Sequence, residues 1–267
     1  MNVKIISMDF DGTLLTSDKK VSERTIKCLN ELKSKSYKII GVTARNLSSV
    51  KNVLDVSLFD YIILNNGADV YYVSLDKVEN ISFLDQETVN KIYELCDPIS
   101  YKIDFCTPFN YLMKTLRKSD ARPFIKYING LDEVTDSISR MNVYFDTDEE
   151  LIKNQEIINN TFKNINTTKM LDTDNVNTRK WLSINPNDVD KLSTLKKICN
   201  DVKCTLDEVV FFGDGENDLS LIENVGVSVA MQNAIDIVKE KASFVTLSND
   251  NDGIAEYLEK KFVLRRK

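Results

Sequence analysis

Two short acidic motifs carry the side chains best suited to chemistry. Asp9 and Asp11 stand one residue apart in Asp-Phe-Asp-Gly-Thr, and Asp214 and Asp218 stand in Gly-Asp-Gly-Glu-Asn-Asp. Alternate residues of an extended chain point to the same side, so the first pair could face one site. Close carboxylates repel each other unless a cation lies between them, and Mg²⁺ takes oxygen ligands while keeping water and phosphate oxygens in its shell. The four carboxylates therefore predict a Mg²⁺-dependent phosphate site, although each motif alone could instead be a solvated turn or a helix cap.

Two other side chains could complement phosphate. Thr43 ends an apolar run and offers a hydroxyl donor, and Lys191 precedes a helical pattern that contains Leu192 and Leu195. A positive amine and a hydroxyl both bind phosphate oxygens well. Each also has an ordinary structural explanation, since a threonine at a strand end is often a cap and a lysine at a helix start is often a solvated charge.

The chain contains no histidine. This absence excludes the Ser-His-Asp triad, the H-E-x-x-H zinc helix and histidine phosphotransfer. No G-x-x-x-x-G-K-[ST] string occurs either, which excludes a P-loop nucleotide site. Acid-base chemistry must therefore come from carboxylates, lysine, tyrosine or cysteine.

Both acidic motifs follow apolar runs that are typical of buried strands. The runs are continuous rather than alternating, which indicates a parallel sheet covered by helices on both faces. They cover Val3 to Met8, Lys38 to Thr43, Tyr61 to Asn65, Val209 to Gly213 and Val225 to Met231. Helical spacing lies between them, beginning with a capping Ser22 before Ile26 and Leu29. We therefore predict a doubly wound, Rossmann-like α/β core formed by residues 1–82 and 184–267, with ligands at the carboxyl ends of its strands.

The segment 83–183 has a different pattern. Of the eight glycines only Gly130 lies within it, and helical spacing at Val89, Ile92 and Cys96 mixes with strand-like pieces such as Met141 to Phe145. We predict an inserted α+β domain. It carries a basic cluster that could hold an anionic part of a substrate or could be a solvated surface, and the cluster comprises Lys114, Arg117, Lys118, Arg122 and Lys126.

Composition narrows the class of protein. The 267 residues include 35 basic and 41 acidic side chains, a net charge of -6 that argues against binding nucleic acid through phosphates. The five cysteines are scattered, which indicates reduced thiols rather than a disulfide framework. No apolar run is long enough to span a membrane, and the early acids at the first strand do not fit a signal peptide. We expect a cytoplasmic protein without membrane or nucleic-acid partners.

The order of the motifs resembles the Cof-type branch of the haloacid-dehalogenase superfamily of phosphatases. The resemblance covers the whole chain, and Lys191 precedes Gly213 by about the spacing seen in that family. The matching motifs are Asp9 to Thr13, Thr43 to Arg45, Asn66 to Ala68, Lys191, Gly213 to Asp218, Met231 to Ala234 and Asn251 to Gly253.

This resemblance implies a role for each candidate residue. Asp9 would be the nucleophile and Asp11 the general acid and base. Thr43 and Lys191 would bind phosphate, and Asn217 would support the lysine or the phosphate. Asp214 and Asp218 would hold Mg²⁺ together with Asp9 and Asp11, and the inserted segment would act as a cap that selects the substrate.

The implied activity is hydrolysis of a small phosphorylated metabolite through an aspartyl-phosphate on Asp9. A phosphomutase of the same superfamily would use the same intermediate but return the phosphate to a sugar. A phosphate-accepting receiver module of signalling proteins also combines paired acids with a threonine and a lysine, although the long insertion and the motif order argue against it. No feature of the sequence selects one substrate or an oligomeric state.

Overall fold

The computed structural model describes residues 2–115, 124–173 and 178–263. The chain forms two compact units. The first unit comprises Met1–Arg45, Val53–Glu79 and Asp190–Lys267, and the second comprises Asn46–Asn52 and Asn80–Val189. No helix of the described residues is both long and apolar enough to cross a membrane.

The first unit contains an eight-stranded sheet with the order β14-β13-β12-β1-β2-β3-β4-β5. Its central strands are parallel and almost entirely buried, which matches burial on both faces, whereas β4 runs antiparallel to β3. The strands are β1 (Ile5–Asp9), β2 (Lys38–Val42), β3 (Tyr61–Leu64), β4 (Asp69–Tyr72), β5 (Lys77–Asn80), β12 (Val209–Gly213), β13 (Val227–Ala230) and β14 (Phe244–Val245).

Among the described residues, five α-helices accompany this sheet in sequence: α1 (Glu23–Ser34), α5 (Lys191–Asp201), α6 (Leu219–Asn224), α7 (Asp236–Lys241) and α8 (Gly253–Leu258). Ser22 caps α1 as predicted, since its side chain accepts a hydrogen bond from the Thr25 backbone. Asp190 caps α5 in the same way by accepting from the Ser193 backbone at 2.7 Å. Lys191 is consequently the first residue of α5, a position that the capping aspartate defines.

The second unit contains a mostly antiparallel six-stranded sheet with the order β10-β11-β9-β6-β7-β8. Its elements are α2 (Leu47–Lys51), α3 (Gln86–Cys96), β6 (Lys102–Cys106), β7 (Tyr111–Thr115), β8 (Ile125–Tyr127), β9 (Arg140–Phe145), α4 (Asp148–Thr161), β10 (Ile165–Thr173) and β11 (Thr178–Pro186). Alternate strand residues such as Ile103, Phe105 and Val143 pack with α3 and α4 in one apolar core. The other face of the sheet carries buried polar residues, including Lys102 and Asp104.

The predicted fold class is confirmed: a parallel α/β core is combined with an inserted α+β unit. The five predicted core strands are present with boundaries shifted by no more than a few residues. In the first unit β1 lies between β2 and β12, so the loops that follow these three parallel strands meet at one edge of the sheet. Each acidic motif begins at the last residue of its strand and continues into the loop, and Thr43 directly follows β2.

Candidate active site

Three of the four predicted carboxylates come together at this edge. One oxygen from each of Asp9, Asp214 and Asp218 lies within 4.8 Å of the others. Asp9 is the last residue of β1, and Asp214 directly follows β12. The parallel pairing of β1 with β12 brings these two chain segments together, although they are about 200 residues apart in sequence.

Asp218 organises the loop after β12. Its Oδ2 atom accepts hydrogen bonds from the backbone nitrogens of Asp214 at 3.1 Å and Gly215 at 3.2 Å. Asp214 is held from another direction, because the hydroxyl of Thr13 donates to its Oδ1 atom at 2.6 Å. Backbone donors and a neighbouring hydroxyl thus fix the acidic side chains before any ligand binds.

Lys191 reaches into this acidic cluster. Its Nζ atom donates to Asp9 Oδ1 at 2.8 Å and to Asp218 Oδ1 at 2.7 Å, and only 2% of its side chain is exposed. Burial by itself lowers the pKa of Lys191, but the charges of Asp218 and Asp9 and the hydrogen bonds to them outweigh burial, so the pKa lies above its ordinary value. Lys191 is therefore a fixed cation beside Asp9 and not a solvated helix charge.

The Asp11 carboxylate does not join the cluster. Arg45 donates to both of its oxygens, from Nε at 2.6 Å and from a terminal nitrogen at 2.7 Å, and Lys19 donates to it at 2.8 Å. Burial would raise the pKa of Asp11, but the hydrogen bonds and charges of Arg45 and Lys19 lower it to about 2. Arg45 and Lys19 had no assigned role in the sequence interpretation, although Arg45 stands in the Thr-x-Arg motif.

The backbone explains why Asp11 turns away. The chain does not stay extended after Asp9 but folds into a tight turn, in which the Leu15 nitrogen donates to the Phe10 carbonyl at 2.8 Å. Gly12 adopts a φ of +82°, and a Cβ atom there would lie 2.2 Å from an oxygen of Asp214. Only glycine fits this close approach at low cost. The turn breaks the side-chain alternation on which the expectation for Asp9 and Asp11 depended.

Thr43 and Asn217 occupy the same end of the sheet without touching the carboxylates. Thr43 is buried directly after β2, and its hydroxyl accepts a hydrogen bond from the Arg45 backbone at 3.1 Å. Asn217 is exposed in the turn between β12 and α6. Among the described residues, neither side chain forms a hydrogen bond with the acidic cluster.

The cluster carries more negative charge than its lysine balances. Burial raises the pKa of Asp9 well above its ordinary value, and the charges of Asp218 and Asp214 add to this shift while Lys191 opposes it. Burial also raises the pKa of Asp214 to about 6, helped by the charge of Asp218 and opposed by the hydrogen bond from Thr13. Three acids against one amine leave a site that favours an additional cation.

The donor set fits Mg²⁺. The ion prefers carboxylate oxygens and usually binds through one or two of them together with water and phosphate oxygens. Within the described residues, the Oδ2 atoms of Asp9 and Asp214 accept no hydrogen bond, whereas both oxygens of Asp218 are engaged. Asp9 and Asp214 are therefore the side chains best prepared to hold the ion.

Comparison with known proteins identifies the family to which the chain belongs. The sequence model of the family described as haloacid dehalogenase-like hydrolases matches residues 6–258. The chain is 26% identical over 257 residues to the 5-amino-6-(5-phospho-D-ribitylamino)uracil phosphatase YcsE of Bacillus subtilis, covering 96% of this chain and 94% of the relative. It is also 26% identical over 277 residues to YitU of the same organism, a phosphatase of the same compound, covering 97% of this chain and 98% of the relative.

Solved structures share the fold over nearly the full length. A haloacid dehalogenase-like hydrolase from Bacteroides thetaiotaomicron has a TM-score of 0.84 at 26% identity, covering 97% of this chain and 100% of the other. A crystal structure from Thermotoga maritima has a TM-score of 0.80 at 27% identity, covering 97% of both chains.

Proposed function

Because the chain belongs to the haloacid dehalogenase-like hydrolase family and is a phosphatase, we propose that it hydrolyses small phosphorylated metabolites with Asp9 as nucleophile and Mg²⁺ as cofactor. The observation that carries this proposal is the buried contact of Lys191 with Asp9 beside Asp214 and Asp218. It combines an oriented carboxylate, a fixed cation and a site for a second cation at one place, which is what phosphoryl transfer requires.

In the proposed first step, a carboxylate oxygen of Asp9 attacks phosphorus and the bond to the leaving oxygen breaks. Asp11 donates a proton to that oxygen, so the products are the free alcohol and an aspartyl-phosphate. In the second step Asp11 accepts a proton from water as the water attacks phosphorus, which releases phosphate and restores Asp9. Splitting one difficult displacement into two easier steps is the usual advantage of covalent catalysis.

Asp11 must leave its bonds with Arg45 and Lys19 to act as an acid, because those bonds favour the ionised carboxylate. Its side chain is 42% exposed, so it has room to change partners. We assign Lys191 and Thr43 to the phosphate oxygens, with Asn217 as a further donor. When bound, Mg²⁺ would be held by Asp9 and Asp214 and would neutralise charge on the phosphate.

We assign substrate choice to the second unit, in line with the predicted cap at residues 83–183. This proposal is supported by the location of the proposed catalytic side chains, which all belong to the first unit. The structure describes only part of the basic cluster. Lys114 pairs with Asp97 and donates to the Tyr93 hydroxyl at 2.9 Å, whereas Arg117, Lys118 and Arg122 lie outside the described residues.

The two named relatives suggest the first substrate to test. Both are phosphatases of 5-amino-6-(5-phospho-D-ribitylamino)uracil, and both match nearly the full length of this chain. We therefore propose this compound, a phosphorylated polyol carrying a pyrimidine, as the leading candidate. We further propose a cytoplasmic location, which is supported by the five free cysteine thiols.

The test is phosphate release from a panel containing this compound, sugar phosphates, nucleotides, pyridoxal phosphate and flavin mononucleotide. We expect turnover with Mg²⁺, loss of turnover in excess chelator, and poor activity with Ca²⁺, which prefers more ligands and looser geometry. Full activity in chelator would refute the metal assignment. Rearranged sugar phosphate without free phosphate would show a mutase instead.

A further inference from the structure

The helix turn that carries Lys191 lies against a short left-handed segment of the first unit. Lys191 is the first residue of α5 and is almost fully buried, so its amine cannot move to Asp9 independently of the helix. Any contact that fixes the first turn of α5 therefore also fixes the distance between the amine and the nucleophile.

The segment that meets this turn follows β3. Asn65, Asn66 and Gly67 have φ values of 48°, 57° and 109°, three successive left-handed residues of which two carry side chains. Asparagine adopts such conformations more readily than other residues with side chains, but a run of three persists only where its surroundings enforce it. At Gly67 a Cβ atom would lie 2.3 Å from the carbonyl oxygen of Asp190 and 3.0 Å from the nitrogen of Lys191. The strained backbone thus lies directly against the start of α5.

One side chain joins the two segments. The hydroxyl of Thr194 donates to the Gly67 carbonyl at 2.8 Å, and both groups are buried. A helical threonine usually bonds to a carbonyl one turn earlier in its own helix, but this hydroxyl reaches a segment 127 residues away in sequence. Thr194 lies one turn after Lys191, so its bond fixes the turn that carries the lysine.

We infer that Thr194 is a positioning residue that holds Lys191 against Asp9 by fastening α5 to the Asn65–Gly67 segment. The inference rests on the proposed role of Lys191 in phosphate binding. Without the hydroxyl, the Gly67 carbonyl loses a buried partner and the helix start is free to shift away from the strained segment. A small shift at a phosphate-binding cation is enough to weaken both substrate binding and attack.

The test compares Thr194→Val with Thr194→Ser on nitrophenyl phosphate, with inorganic phosphate as a competitive inhibitor. We expect Thr194→Val to lower kcat/KM about tenfold and to raise the inhibition constant of phosphate by a similar factor, the range set by losing one buried hydrogen bond. Thr194→Ser keeps the donor and should stay within about twofold of the unmodified enzyme.

Thr25→Val is the matched control, because Thr25 is also a buried threonine near the start of a helix in the same unit, with its hydroxyl bonded locally to Ser22. It should lower the free energy of unfolding without changing kcat/KM or phosphate inhibition. Equal kinetic losses in Thr25→Val and Thr194→Val, or a Thr194→Ser variant as impaired as Thr194→Val, would overturn the inference.

Lys191→Met separates this inference from the proposed function. A large loss in Lys191→Met with unchanged kinetics in Thr194→Val refutes the positioning role alone. Full activity in Lys191→Met refutes the phosphate-binding role of the lysine and the positioning role together.

Discussion

Each unit buries a lysine beside an aspartate, and the two pairs differ in where the backbone places them. In the first unit Lys191 begins a helix and meets Asp9 at the end of a parallel strand. In the second unit Lys102 and Asp104 both lie within β6, with their charged atoms 3.6 Å apart and the amine 4.0 Å from the centre of the Tyr144 ring.

The difference shows that burial of charge alone does not identify a reacting group. Asp104 accepts a hydrogen bond from the Tyr111 hydroxyl at 2.5 Å, and its partners Tyr111 and Lys102 both lie in strands of the same sheet. The cluster around Asp9 has one lysine for three acids and lies at a strand end, in the following turns and at a helix start. A surplus of charge at strand ends, where loops can rearrange, distinguishes the proposed site from the buried pair in the sheet.

The largest expected effect comes from Asp9→Asn. An amide cannot attack phosphorus, so we expect kcat to fall by more than about ten-thousand-fold, with no burst of nitrophenol in rapid mixing. Asp104→Asn in the second unit is the control, since it should retain turnover of nitrophenyl phosphate. A burst from Asp9→Asn would show that the nucleophile lies elsewhere.

Asp11→Asn should have the next largest effect. General acid-base help is worth roughly a hundred-fold to ten-thousand-fold, and we expect a loss of that size on sugar phosphates, whose leaving groups need a proton. The leaving group of nitrophenyl phosphate barely needs a proton, so with this substrate the variant should still form the aspartyl-phosphate. It should release a burst of about one equivalent of nitrophenol before slow hydrolysis of the intermediate. Turnover of sugar phosphates at the unmodified rate would exclude Asp11 as the acid.

The two lysines test the comparison directly. Lys191→Met should lower kcat/KM on nitrophenyl phosphate about a hundred-fold or more, because a fixed cation next to the phosphate is lost. Lys102→Met should instead lower the free energy of unfolding by about 3 kcal/mol, since it removes one partner of a buried pair, and leave kcat/KM on this ester nearly unchanged. Denaturant titration and kinetics below the unfolding transition separate the two outcomes.

The smallest effect concerns pH in the metal-free protein. The folded-state pKa of Asp214 is raised from 3.8 to about 6, so the folded state binds a proton more readily than the unfolded chain, and stability should fall by about 2 kcal/mol as pH rises from about 4 to 6. Mg²⁺ should abolish this loss because it favours the ionised carboxylate. The measurement is urea unfolding in chelator and in Mg²⁺, with Asp214→Asn expected to give a shallower profile. Equal slopes with and without the metal would contradict the assigned site.

The sequence predicted most of the first unit because its signals are local. Continuous apolar runs ended at acidic motifs, and the strand beginning at Val209 was placed at its observed residues. The sequence also predicts that Lys191 lies at a helix start. It does not predict the burial of Lys191, because this burial depends on contacts between segments far apart in the chain. The partners of Asp11 were missed for a related reason: the turn at Gly12 reverses the side-chain direction that an extended strand would give.

The second unit was harder to predict, since its sheet contains strands without a distinctive pattern. The strand β9 was recognised from Met141 to Phe145, whereas β7 and β8 pair through contacts that no short run of residues specifies. Lys102 and Asp104 lie on the same face of the sheet because they are alternate residues of one strand. Their burial was not predicted, since lysine and aspartate are usually exposed at the protein surface.

The pairing of β1 with β12 has a consequence for biosynthesis. The ribosome releases Asp9 long before the strand that completes its side of the sheet, because that strand and the acids that follow it lie about 200 residues further along the chain. Most of the second unit, from Asn80 to Val189, leaves the ribosome before that point. A nascent chain can therefore begin to order its inserted unit while Asp9 is still without Lys191, Asp214 and Asp218. Under the proposed mechanism, turnover cannot begin until synthesis has passed Asp218.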